Sequence, residues 1–85
     1  MKITRYVGVF ERHGDRFLVE KIVLPESSLD DLKVIFVPAD DDPLMYDYYD
    51  VDEIAAAKLH RKFGIDINLN KFDYAVGAES SSAED

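Results

Sequence analysis

The chain has 85 residues, 18 of them acidic and 10 basic, for a formal net charge of −8, and it has no cysteine. That length holds one domain with a small core. The absence of cysteine excludes disulfide staples, thiolate nucleophiles and cysteine-ligated zinc, and fits a reducing cytoplasm. The acidic balance argues against nucleic acid as a direct ligand, since phosphate contacts need gathered Lys and Arg.

From Ile3 to Glu11 apolar residues alternate, with Ile3, Val7 and Val9 on one side and Tyr6 and Phe10 on the other, and β-branched and aromatic types dominate. This predicts a strand. Arg12-His13-Gly14-Asp15-Arg16 reads as a turn in which Gly14 supplies positive φ. Phe17 to Leu24 then restores the strand signal, completing a β-hairpin that Pro25 ends. The Met1–Arg5 start has no apolar stretch with a cleavage site, so no signal peptide is expected. No apolar run approaches the roughly 20 residues that span a bilayer, so no membrane contact is expected either.

Ser27 or Ser28 can cap a helix with Asp30 and Asp31 in its first turn, and Leu29, Leu32, Ile35 and Phe36 fall at helical spacing. A helix over 28–36 is expected, although Val34-Ile35-Phe36-Val37 also fits a strand. Pro38 stops either element. A second helix over 51–63 takes Asp50 as its N-cap, gathers Lys58, His60, Arg61 and Lys62 towards its C-terminal end, and stops at Gly64. Val51, Ala55, Leu59 and Phe63 step by four and should form its buried side. Ile65, Ile67 and Leu69 alternate, and Phe72, Tyr74 and Val76 alternate in the opposite phase. A turn or bulge near Asn70 therefore precedes a final strand over roughly 71–77.

The expected fold is α+β, in the order ββααβ: a small antiparallel sheet made of the hairpin and the C-terminal strand, packed on two helices. Residues 1–77 form the domain. Residues 78–85, acidic and Ser-rich, have little to bury and are expected to be disordered.

Between the helices lies the segment 39–53, with seven carboxylates, three tyrosines and no Lys or Arg. Carboxylates set a negative local field and tyrosines supply large, stiff contact area, a pairing suited to a positively charged partner. The residues expected to bind that partner are Asp40, Asp41, Asp42, Tyr46, Asp47, Tyr48, Tyr49, Asp50 and Glu53. At least one tyrosine should be exposed, because neighbouring side chains on an extended chain point in different directions.

No catalytic set accompanies the segment, and the chain is not expected to be an enzyme. Asp40 and Asp42 alternate as at the start of a calcium loop. Leu44 then occupies the third ligand position, and there is no central glycine and no closing glutamate, so no metal and no cofactor are expected. His13 reads as a turn residue and His60 as a cation near a helix C-terminus. The serines read as caps and tail, and the four glycines are too dispersed to cradle phosphate.

The acidic run Asp40-Asp41-Asp42-Pro43-Leu44-Met45-Tyr46-Asp47-Tyr48-Tyr49-Asp50, set in a small cysteine-free domain of this element order, resembles the small immunity proteins of bacterial toxin systems, including contact-dependent growth inhibition. The resemblance implies a cytoplasmic inhibitor that binds a cognate toxin domain, often a nuclease, and occludes its active site; the partner is expected to be basic and the chain a monomer or weak dimer. The alternative is a structural or regulatory adaptor that self-associates through a sheet edge.

Overall fold

A computed structural model describes residues 2–81. The chain is an α+β domain built on an antiparallel four-stranded sheet and two helices. Its elements are β1 (Lys2–Glu11), β2 (Leu18–Val23), a 3-10 turn (Glu26–Ser28), α1 (Leu29–Phe36), β3 (Tyr49–Asp50), α2 (Glu53–Phe63) and β4 (Phe72–Ser81). The strands lie in the order β2-β1-β4-β3. None of the described helices is long and apolar enough to cross a membrane.

The long central pair sets the frame. β1 and β4 run antiparallel in unbroken register from Lys2 opposite Ser81 to Glu11 opposite Phe72. Val7 faces Ile22 on one side and Val76 on the other, so one sheet face carries Val7, Val9, Ile22, Tyr74 and Val76. These join Leu24, Leu32, Met45, Val51, Ala55, Leu59 and Ile65 in one core under the helices. Leu32 and Leu59 are fully buried.

Several boundaries differ from expectation. The final strand reaches Ser81 rather than 77, because β1 offers it pairing partners as far back as Lys2; residues 78–81 are therefore in the sheet, and 82–85 lie outside the described residues. The second helix starts at Glu53, not 51, because Tyr49–Asp50 is drawn into the sheet as β3 and Val51 N–H donates to Tyr74 O. Asp52 replaces Asp50 as its N-cap and accepts the Ala55 N–H at 2.8 Å. Neither Ser27 nor Ser28 caps α1. Ser28 stands at the N-cap position but is the last residue of the 3-10 turn, with helical dihedrals rather than the extended ones of a side-chain cap, and its buried Oγ has no hydrogen-bond partner among the described residues.

Both helices end in the left-handed conformation by different means. Gly64, at φ 71°, closes α2 and donates its N–H to His60 O. Val37, at φ 47°, does the same for α1 against Lys33 O, although its branched side chain disfavours that region. The turn near Asn70 is built by Asn68, whose carbonyl accepts from Lys71 and Phe72 and whose side chain accepts from Asn70 N–H.

Candidate functional site: an acidic loop at the edge of an open sheet face

The acidic segment leaves α1 at Pro38, dips into the core at Met45 and enters the sheet as β3. Met45 is 2% exposed and takes φ 55°, which turns the chain so that its side chain plugs the core. Arg5 reaches from β1 to donate to Leu44 O at 2.6 Å and ties the loop to the sheet.

Asp42 organises the loop from inside. Its carboxylate accepts from Tyr46 N–H at 2.8 Å, Asp47 N–H at 3.2 Å and the Tyr49 hydroxyl at 2.6 Å. The Tyr49 hydroxyl, followed by the Tyr46 and Asp47 N–H groups, holds the Asp42 carboxyl below its ordinary range, outweighing the opposite effect of burial. The same contact, with burial and the neighbouring Asp42, Asp47 and Asp41 charges, pushes the Tyr49 phenol up to about 12. Of the residues expected to meet a partner, Asp42 and Tyr49 are thus turned inward and engaged by the loop itself. Three donors converging on one carboxylate explain why Asp42 differs from its neighbours.

The other expected residues are exposed: Asp40, Asp41, Tyr46, Asp47, Tyr48, Asp50 and Glu53. Tyr46 is 51% and Tyr48 65% exposed. Among the described residues, none of these five carboxylates forms an ion pair; the pairs present join Arg12 and Arg16 to Asp73, Lys21 to Glu79, Lys62 to Asp31 and His60 to Asp66. Glu53 stands apart from the loop, beside Ile54, Ala57, Lys58 and Arg61 on the outward side of α2.

Tyr48 and Tyr49 are consecutive in an extended segment and so emerge on opposite faces of the sheet. Tyr49 joins the core and meets Phe36 at a ring separation of 5.9 Å. Tyr48 lies on the other face, which no helix covers. There its ring rests over Gly77, where an added Cβ would stand 2.5 Å from the ring, and its hydroxyl meets that of Tyr6 at 2.8 Å. Tyr6 is buried under this cover; burial and the Tyr48 contact raise its phenol to about 12. On the same face the Phe10 ring folds over Gly8, with Leu18 as its register partner on β2. Phe10, Tyr48, Ala75, Asp50 and Arg16 line a groove of about 300 Å³.

This open face escapes a reading confined to the acidic run. Its signal was nonetheless present in Tyr6 and Phe10, large apolar residues on the side of β1 opposite Val7 and Val9, when a strand with one wet face carries polar residues there. Among the described residues no group of three or more His, Asp or Glu is arranged to hold a metal ion.

The chain matches, over residues 4–77, the family described as "Domain of unknown function (DUF7683)". It belongs to that family. The match runs from β1 through both helices into β4 and includes the acidic loop and the open face. No curated protein and no solved structure matches the chain.

Proposed function

We propose that this domain is a binding protein of the immunity type: it engages a basic protein partner, a toxin domain of the nuclease kind, in the cytoplasm and neutralises it without catalysis. The observation that supports the reading is the pairing of a braced loop with unpaired charge. Asp42 fixes the loop from within, while Asp40, Asp41, Asp47 and Asp50 keep their carboxylates free of the chain's own cations among the described residues. A loop that is already ordered loses less entropy on binding. Its carboxylates accelerate encounter with a cationic surface, and a nuclease site, basic because it binds phosphate, is such a surface. Tyr46 and Tyr48 supply the area that slows dissociation.

Self-association through the exposed β2 edge is the competing reading. Two antiparallel copies related by a two-fold axis keep their sheet faces aligned only when a residue meets itself or one an even number of positions away. β2 carries a bulge against β1 at its Leu18 end, and over its regular part the register that centres on Lys21 opposite Lys21 is repulsive, which disfavours that pairing.

Affinity capture from the native source, with the wild-type chain and with a variant carrying Asp40, Asp41, Asp47 and Asp50 as Asn, tests the proposal. A basic protein held by the wild type at low salt, released at high salt, not held by the variant, and losing its activity when the wild type is added back is the expected result. Equal retention by both chains, or a retained protein whose activity is unaffected, refutes it.

A further inference from the structure

The geometry points to the groove between Phe10 and Tyr48 as the seat of a cationic side chain, an arginine or lysine presented by the basic partner. This deepens the partner-binding reading above and rests on it. The groove is built from three strands: Phe10 from β1, Ala75 from β4, and Tyr48 and Asp50 from the segment leading through β3. Its floor is low because Ala75 lies opposite Gly8 in the β1–β4 register, so neither residue at that pair projects a large side chain. Its aromatic lining comes from rings laid down over Gly8 and Gly77, and the face each ring turns away from its glycine is one to which a cation is attracted.

Charge assigns the occupant. Asp50 lines the groove, and Asp73 stands beside it on the same face of the sheet. Asp73 is engaged by Arg16 at 3.1 Å and Arg12 at 3.5 Å, and Arg16 itself lines the groove, so the chain already seats one guanidinium here. Asp50, opposite Ala75 on β3, has no such partner among the described residues. A guanidinium or ammonium entering between Phe10 and Tyr48 would reach the one groove carboxylate left unpaired. Asp50 also continues the chain of Asp47 and Tyr48, so a partner held by the loop presents side chains directly above the groove.

The full chain titrated with a hexa-arginine peptide, and separately with hexa-citrulline of the same length but no charge, distinguishes this inference from the reading on which it rests. The readout is the nuclear magnetic resonance of the Ala75 methyl, the Phe10 and Tyr48 rings, and the loop amides. The expected result is that hexa-arginine shifts the Ala75, Phe10 and Tyr48 signals together with the loop, and hexa-citrulline does not. Asp50→Asn should weaken the groove response roughly fivefold. Gly77→Ala, which displaces the Tyr48 ring, should weaken it while the amides of Asp40 and Asp41 still respond. Shifts confined to residues 40–47 would overturn the groove assignment and leave the loop reading standing. No response anywhere would overturn both, and an equal response to hexa-citrulline would show an apolar groove with no preference for cations.

Discussion

The two faces of the sheet are both apolar at their centres, yet they are stabilised in different ways. Under the helices, Val7, Val9, Tyr74 and Val76 meet Leu32, Ala55 and Leu59, and burial is contributed by distant parts of the chain. On the open face the cover is made of the strands' own side chains: Tyr48 over Gly77, Phe10 over Gly8, and the paired hydroxyls of Tyr6 and Tyr48. The first arrangement defines the fold. The second covers much of the face yet leaves Tyr48 and Val23 largely exposed, apolar surface of the kind that marks interaction sites.

That contrast is broken most directly in the core. Leu59→Ala, at a fully buried position between helix and sheet, should cost about 2–5 kcal/mol in chemical denaturation and threaten folding of so small a domain. Tyr48→Ala, by comparison, should cost below about 1 kcal/mol while weakening partner binding severalfold. Comparable losses of stability from the two changes would erase the distinction between the faces.

The loop bridging the faces adds a pH signature. Asp42 has its carboxyl held low in the folded chain, so its contribution to stability is present above the unfolded carboxyl's range and is lost as pH falls through the lowered folded value. Tyr49 and Tyr6 have phenols raised to about 12, so their contribution is complete below pH 10, the unfolded phenol's value, and is lost between 10 and 12. Thermal melts across pH should fall at both ends. Asp42→Asn should flatten the acid limb and lower the melting temperature at neutral pH by ~5 °C, whereas Tyr49→Phe should reduce the alkaline limb without abolishing it, because Tyr6 remains.

Two smaller effects lie at the ends of α1. Val37, 76% exposed and left-handed, contributes little packing, so Val37→Gly should raise stability by up to about 1 kcal/mol. Ser28→Ala removes a buried hydroxyl with no partner among the described residues and should be neutral or slightly stabilising in the same denaturation assay.

Much of this architecture was legible along the chain. The hairpin, the helix ending at Gly64, its buried ladder and the α+β class follow from periodicity and turn chemistry, which are local properties. The β3 pairing was not legible, because two residues carry no periodic signal and are recruited by the edge of β4. That recruitment also moved the start of α2 from Val51 to Glu53. Ser28 misled because a hydroxyl before a helix reads as a cap whatever dihedrals the preceding turn imposes. Within the acidic run, composition alone treats every carboxylate alike. Only folding shows that Asp42 meets three donors of its own loop while Asp40 and Asp41 stay in water.

The placement of Tyr48 and Tyr49 on opposite sides of one short strand makes that dipeptide a register key. A slip of a single residue against β4 would send each side chain of the segment to the other face, taking Tyr49 away from Phe36 and turning the Asp50 carboxylate towards the core, so a mispaired edge is penalised by the burial of a charge. Two residues of strand, too short to hold a position by backbone bonding alone, are thereby pinned to one alignment.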